Sequence, residues 1–196
     1  MQHRFFALIS RMRYIGRWGL MRNSFPENIQ EHSHMVAVLA HALGVIRRDI
    51  FHQPCDVNAL ATAALYHDAS EILTGDLPTP IKYHNAEIMS AYHAVEDLAV
   101  QKLLGMLPPE LRETYADVLA EDKDGDIYPL VKAADKLSAY IKCIEERKAG
   151  NNEFLSAEAQ TRAALEASPL PEVQYFLEHF IPAFERDLDE LGAIGQ

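Results

Sequence analysis

Apolar residues recur about every 3.6 residues along nearly the whole chain, and this period is the strongest constraint on its fold. Neither internal repeats nor the alternating pattern of half-buried strands is found. The clearest stripe follows Asn28 and consists of Met35, Val36, Leu39, Leu43, Ile46 and Ile50. The sequence therefore predicts an all-α helical bundle. Because no good linker interrupts the pattern, we expect a single domain over residues 1–196.

Capping residues and prolines set the expected helix boundaries. Asn28 with Glu31 has the pattern of a capping box, and Asp56 is the predicted N-cap of the next helix. Gly75 is a natural end for a short helix. Two prolines in the "DLPTP" stretch are expected to break the helical pattern. Other helices are expected at about 3–15, 84–106, 108–121, 127–149, 153–167 and 170–191, with a kink at Pro182.

Charge and composition exclude several classes of protein. The net charge of −11 argues against a nucleic-acid polymer as partner, because such partners require a basic face. The two cysteines, Cys55 and Cys143, form no CxxC pair, which fits a reducing compartment. The N-terminus has no signal-peptide pattern, and the longest apolar stretch, "MVAVLAHALGVI", is too short to span a bilayer. We therefore expect a cytoplasmic protein without a membrane partner.

The stretch "LYHDASEILTGDLPTP" places His67-Asp68 among apolar residues of a predicted helix. Such a dipeptide is weak by itself, since about one would arise by chance in a chain with nine histidines. Two companions strengthen it. His32 continues the apolar stripe of its helix inward, and Asp135 lies at the edge of a strongly apolar face. A carboxylate there is costly unless it is neutralised.

These four side chains form a reasonable metal-ligand set. Two imidazoles and two carboxylates suit Mn, Co, Fe or Zn, and an ion that accepts six ligands keeps room for water and substrate. Such an ion lowers the pKa of a water and polarises a phosphoryl group. Alternatives are that His32 is a core histidine and that Asp135 pairs with Lys132 or Lys136. The order His…His-Asp…Asp on predicted helices favours the metal site.

This order resembles the HD-domain superfamily of metal-dependent phosphohydrolases, an all-helical family. Within it, four long segments look like the bacterial 5′-deoxynucleotidases: "LMRNSFPENIQEHSHMVAVLAHAL", "ALYHDASEILTGDLPTPIKY", "LVKAADKLSAYIKCIEE" and "AGNNEF". The resemblance implies hydrolysis of deoxyribonucleoside 5′-monophosphates by a metal-activated water. It also implies a homodimer and one divalent metal ion, with Co, Mn or Cu as typical activators.

The resemblance also assigns roles to individual residues. Its metal ligands fall on His32, His67, Asp68 and Asp135. Its catalytic glutamate falls on Glu71 and its Arg-Trp substrate pair on Arg17 and Trp18. Its substrate turn falls on Asp76, Leu77, Pro78 and Thr79.

The residue chemistry is compatible with these roles but leaves alternatives open. Glu71 could serve as general base, or it could be a solvated helix residue. Arg17 could bind phosphate oxygens through its planar guanidinium, and Arg22 is the alternative residue for this role. Trp18 could contact the sugar or base, or merely bury its loop. Asp76 could accept from a 3′-hydroxyl, or simply cap its turn.

Two other functions remain open from the sequence. One is a different HD-type reaction, hydrolysis of a triphosphate or of an alarmone; a triphosphatase needs several more cationic side chains than Arg17 supplies. The other is a nucleotide sensor that keeps its metal only for folding. The presence of Glu71 and Arg17 beside the ligand set favours the enzyme.

Overall fold

The computed structural model describes residues 3–82, 84–120 and 125–192, without the side chains of Thr79 and Pro80. These residues contain no β-strand, and an isolated antiparallel bridge joins Gly16 to Asn28. The predicted all-α fold is confirmed. The helices are α1 (Phe5–Ile9), α2 (Ile29–Val45), α3 (Val57–Tyr66), α4 (Glu71–Thr74), α5 (Thr79–Lys82), α6 (Ala86–Leu104), α7 (Pro109–Leu119), α8 (Tyr128–Lys148), α9 (Leu155–Glu166), α10 (Pro171–His179) and α11 (Ile181–Phe184). Short 3-10 segments lie at Ser10–Tyr14 and Asn152–Phe154, and a π-helical turn at Ile46–Ile50 extends α2.

The caps predicted for the central helices are present. Asn28 Oδ1 accepts a hydrogen bond from Glu31 N at 3.1 Å, and Glu31 Oε2 accepts one from Asn28 N at 3.4 Å. Asp56 caps α3 by accepting from Ala59 N at 2.9 Å. Gly75 ends α4 with a φ of 76°, a conformation that favours glycine. Local chemistry alone therefore fixes these ends.

The predicted last helix, 170–191, is wrong in extent. The structure has two helices there, interrupted at Phe180 and ending at Phe184. Pro182 lies in the first turn of α11, where its missing N–H costs no hydrogen bond. Leu188, which would have continued the apolar stripe, is 60% exposed.

Two other predicted helix boundaries also differ from the structure. The first helix is α-helical only to Ile9 and then tightens into a 3-10 segment that ends at Tyr14. The "DLPTP" stretch does not stay outside helices to its end, because α5 begins at Thr79 and takes Pro80 into its first turn.

Two apolar clusters position the site. The larger is centred on α2, α3 and α8, with α9 and α10 packed against them. The smaller joins α1, α6 and α7 through Phe5, Leu103 and Leu119. Ala64 belongs to the larger cluster and Ala69 to the smaller one. The His67-Asp68 turn therefore lies where the two clusters meet. No helix in the described ranges is long and apolar enough to cross a membrane.

Candidate metal centre and active site

The His67-Asp68 dipeptide lies just beyond the end of α3 rather than within it. His67 is the C-cap residue, and Asp68 begins a tight turn into α4. Ala69 N donates to Tyr66 O at 2.9 Å, and Glu71 N donates to Asp68 O at 3.0 Å. The turn brings the two neighbouring side chains together, with His67 Nε2 3.2 Å from Asp68 Oδ2.

The other two predicted ligands converge on the same point. His32, on α2, is fully buried, and its Nε2 lies 3.1 Å from Asp135 Oδ1 and 3.5 Å from Asp68 Oδ2. Ligand atoms of His32, His67 and Asp135 all lie within 4.8 Å of one another. Atoms that bind one ion at about 2.1 Å are separated by about 3 Å, so this spacing suits a shared cation.

The outer nitrogens of both imidazoles are already engaged. His67 Nδ1 donates to Ala64 O at 2.7 Å, and His32 Nδ1 lies 3.2 Å from Ser138 Oγ. The inner Nε2 atoms of both rings are buried and, although each lies 3.1 to 3.2 Å from a carboxylate oxygen, they make no well-aligned hydrogen bond within the described part of the chain. Ligating histidines are commonly oriented in this way, with Nδ1 bonded to the protein and Nε2 facing the metal. The donor set therefore fits a divalent metal ion.

The charges at the centre also fit a cation. Burial would raise the pKa of Asp68, but His67, His32 and Arg17 hold it well below its usual range. Burial opposes ionisation of Asp135 as well, and His32 and His67 lower its pKa. Both carboxylates therefore stay ionised at neutral pH.

His67 shows the complementary shift. Burial would lower the pKa of His67, but Asp68 and Asp135 raise it. The two carboxylates thus favour the protonated form of His67 in the metal-free protein. Metal binding would favour the neutral form, because a ligating imidazole must be neutral.

Ser138→Ala is expected to weaken metal affinity by about 10- to 100-fold, because His32 loses the group that orients its ring. Metal titration of chelated protein measures this effect. Ser33→Ala is the matched control: Ser33 is equally buried, at 2% exposure, and its hydroxyl has no partner among the described residues. Equal metal affinity of the two variants would contradict the orienting role of Ser138.

Glu71 is a buried residue and not a solvated one. Its side chain is 6% exposed, and its Oε2 has no hydrogen-bond partner in the described ranges. Burial, followed by the charges of Asp68 and Asp76, raises the pKa of Glu71 to about 10 in the metal-free protein. A nearby divalent cation would lower this pKa, because positive charge stabilises the carboxylate.

This shift predicts a pH-dependent stability difference in metal-free protein. A carboxyl group whose pKa is raised by folding favours the folded state below its ordinary value of 4.5 and loses that contribution as pH rises toward 10. Metal-free Glu71→Gln should therefore match the wild type near pH 5 and melt about 3 °C or more above it near pH 9. Thermal unfolding in chelator tests this, with the exposed Glu113→Gln as control. A pH-independent difference would refute the assignment.

Arg17 lies against the ligand set, and its rival Arg22 does not. Arg17 Nη1 donates to Asp68 Oδ2 at 3.4 Å, and its Nε donates to Glu27 Oε2 at 3.1 Å. Burial would lower the pKa of Arg17, but Asp68, Asp135 and Glu27 raise it, so the guanidinium stays charged. Arg22, whose side chain is 94% exposed, pairs with Glu153 instead.

Trp18 shares Glu27 with Arg17. Asp76 of the predicted substrate turn interacts electrostatically with Arg17 and Asp68. The Trp18 indole packs against Phe154, with ring centroids 5.2 Å apart. Asp76 is half-buried; burial raises its pKa, and the charge of Arg17 lowers it. Leu77 and Pro78 are also half-buried, and Pro78 O accepts from Ile81 N at 2.8 Å. The side chain of Thr79 lies outside the described part of the structure.

Sequence reasoning missed two residues that contact the site. Ser138 follows Asp135 by one helical turn on α8, so the i, i+3 spacing could have indicated it. Glu27 contacts Arg17 and Trp18 through the path of an irregular connection, and no sequence pattern predicts that path.

The comparison with known families gives a clear result. Residues 4–184 match the family described as 5′-deoxynucleotidase YfbR-like. The chain belongs to this family. The chain is 50% identical over 192 residues to the 5′-deoxynucleotidases YfbR of Shigella flexneri and Escherichia coli K12, with 97% of this chain and 96% of each relative covered.

Solved structures agree with the fold of this YfbR-like family member. An HD-domain phosphohydrolase from Listeria innocua matches with a TM-score of 0.82 and 26% identity, over 93% of this chain and 88% of that one. The HD phosphohydrolase DatZ of cyanophage S-2L, bound to dA and one catalytic Zn²⁺ ion, matches with a TM-score of 0.60 and 26% identity. That match covers 97% of this chain and 99% of DatZ.

Proposed function

We propose that this protein is a metal-dependent 5′-deoxynucleotidase that converts deoxyribonucleoside 5′-monophosphates to deoxyribonucleosides and phosphate. The observation that carries the proposal is the shared position of Asp68 Oδ2. That one oxygen contacts His32, His67 and Arg17 at 3.2 to 3.5 Å. A metal site and a phosphate-binding cation are thereby adjacent, so one phosphoryl group can contact both.

The proposed ligands of the cation are His32, His67, Asp68 and Asp135. When bound, a divalent ion supplies Lewis-acid polarisation of the phosphoryl group and a more acidic water. We propose one ion per chain, with Co, Mn or Cu as activators and Zn, Fe or Mg as alternatives; the mixed nitrogen and oxygen ligands suit several of these metals.

Arg17 is proposed to bind the phosphate and to stabilise the charge that develops on its oxygens. Its bonds to Asp68 and Glu27 use two of the five N–H donors of the guanidinium. The remaining donors can reach phosphate oxygens, and charge-assisted bonds of this kind are strong in a half-buried site.

Glu71 is proposed as the general base and later the general acid. Its Oε2, which has no hydrogen-bond partner among the residues that the structure describes, would take a proton from water as the water oxygen forms its bond to phosphorus. The same proton would pass to the 5′ oxygen as the bond between phosphorus and that oxygen breaks. The products are phosphate and a free 5′-hydroxyl, so no other reactant is needed.

Sugar recognition is proposed for the substrate turn and Trp18. Asp76 would accept a hydrogen bond from the 3′-hydroxyl, and Trp18 would crowd the position of a 2′-hydroxyl. Leu77, Pro78 and Thr79 would hold the turn in place, because prolines restrict its backbone. A site that leaves a hydroxyl crowded or unpaired can discriminate strongly against it.

A phosphate-release panel tests this function. Chelated protein is resupplied with Mn, Co, Cu, Zn or Mg and offered matched ribo- and deoxyribonucleoside mono- and triphosphates. We expect turnover of deoxyribonucleoside monophosphates, with kcat/KM at least about a hundredfold above that for ribonucleotides. Equal rates on both sugars would refute the sugar preference. Activity on triphosphates alone would favour the other HD reaction, and metal-dependent binding without turnover would favour a sensor.

A homodimer and a cytoplasmic location stay predictions. Both come from the sequence and its resemblance. Light scattering at several protein concentrations measures the oligomeric state directly, and a mass of one chain throughout would contradict the dimer.

A further inference from the structure

Both proposed substrate residues donate to the same carboxylate oxygen. Glu27 Oε2 accepts from Arg17 Nε at 3.1 Å and from Trp18 Nε1 at 2.9 Å. The backbone adds a third bond, in which Arg17 N donates to Glu27 O at 2.9 Å. One residue therefore fixes the guanidinium and the indole relative to each other, although it lies ten positions from Arg17 and nine from Trp18 in the sequence.

The backbone at Trp18 needs this kind of support. Its φ is 58°, in the left-handed region that bulky side chains rarely adopt. Such a conformation persists when surrounding contacts determine it. The contacts here are the indole bond to Glu27 and the packing of the ring on the fully buried Phe154.

Glu27 is itself held by a fixed stretch of chain. Lys142, which is 2% exposed, donates to Phe25 O at 2.7 Å. The buried Glu146 accepts from Ser24 N at 2.8 Å and pairs with Lys142. These bonds tie the residues just before Glu27 to α8, the helix that also carries Asp135. The carboxylate thus has a defined position relative to the metal centre.

We propose that Glu27 is a positioning residue that sets the phosphate contact of Arg17 and the sugar contact of Trp18 together. The inference rests on the function proposed above for those two residues. Glu27 contacts neither the ligand set nor the substrate in this scheme and acts through the two side chains it holds. Its loss should therefore change phosphate affinity and sugar preference at the same time.

A spectroscopic test does not depend on activity. Trp18 is the only tryptophan of the chain, so fluorescence excited selectively in the indole band, where tyrosine does not absorb, reports its surroundings alone. In Glu27→Ala the emission maximum should move to longer wavelength and acrylamide quenching should increase, because the indole is held less firmly. Glu27→Gln retains an amide oxygen that can accept from the indole, so its spectrum should be closer to that of the wild type. Glu153→Gln is the control, since Glu153 holds Arg22 of the same connection.

The kinetic test separates the two contacts. Glu27→Ala should lose about ten- to a hundredfold in kcat/KM on deoxyribonucleoside monophosphates, as expected when a charge-assisted bond is removed. Its preference for deoxyribose over ribose should fall as well, and inhibition by inorganic phosphate should weaken. Glu27→Gln should recover part of the sugar preference but less of the phosphate affinity, because it lacks the charge that faces Arg17.

The outcomes distinguish this inference from the proposed function. One outcome is that Glu27→Ala leaves three properties at their wild-type values: Trp18 fluorescence, kcat/KM and the preference for deoxyribose. If it does so while Arg17→Ala abolishes turnover, the positioning role is refuted and the proposed nucleotidase function is retained. If Glu27→Ala shifts the fluorescence but no variant or wild-type sample hydrolyses nucleotides, the proposed function fails and Glu27 only shapes the connection. If the folded fraction of Glu27→Ala at the assay temperature falls by as much as its activity, and the folded protein keeps the wild-type sugar preference, the positioning role is also refuted.

Discussion

Glu71→Gln is expected to lower kcat for phosphate release by about 10²- to 10⁴-fold, the usual contribution of a general acid–base residue. The amide has the size and shape of the carboxyl group but cannot accept the proton of the attacking water. Glu71 is buried beside the ligand turn, and its Oε2 has no hydrogen-bond partner among the described residues, so this oxygen is available to accept a proton. Steady-state kinetics on a deoxyribonucleoside monophosphate measures the loss.

Binding should survive this substitution. Arg17 and the proposed metal ligands are untouched, so KM and metal content should stay within a fewfold of wild type, a pattern typical of an interaction used in the transition state. Glu113→Gln, on the exposed face of α7, is the control for a simple loss of charge. A variant that turns over at near the wild-type rate would exclude Glu71 as the base. A variant that loses its metal would instead assign Glu71 to the ligand set.

Asp135→Asn and His32→Ala should each abolish most of the activity, by on the order of a thousandfold or more, because metal polarisation contributes several kcal/mol to the transition state. His32 and Asp135 lie 3.1 Å apart on different helices, so removing either leaves an incomplete site. Metal content after dialysis should fall with the activity. Added metal at high concentration should restore part of it.

The histidines of α2 provide a matched control. His34 is only two positions from His32, but it is exposed whereas His32 is fully buried. His34→Ala should keep its metal and its rate. If His34→Ala and His32→Ala behave alike, or if Asp135→Asn remains active with no bound metal, the assignment of the centre is wrong.

The four predicted ligands converge in the structure because helical periodicity carries geometric information. The apolar stripe of α2 places His32 on its buried face, and the apolar face of α8 runs up to Asp135. The order of the residues along the chain could then be compared with a known family. Helix ends were predictable where a single side chain or a glycine satisfies them, as at Asn28, Asp56 and Gly75.

Predictions failed where the outcome depended on packing. The apolar pattern of 170–191 predicts one continuous helix, but the helix is interrupted at Phe180, and Leu188 is largely exposed. The alternatives for Glu71 and Arg22 were equally undecided in the sequence. Burial separated them: Glu71 lies inside, whereas Arg22 extends into solvent and pairs with Glu153.

The sequence by itself determined the helical class, the caps of the central helices and the identity of the candidate ligands, because each follows from local periodicity or local hydrogen bonding. The tertiary structure alone decided that Asp68 lies against both imidazoles and Arg17, that Glu71 is buried, and that Glu27 joins Arg17 to Trp18. These contacts join residues on different elements. Their distances depend on how two apolar clusters pack against each other, which no local pattern encodes.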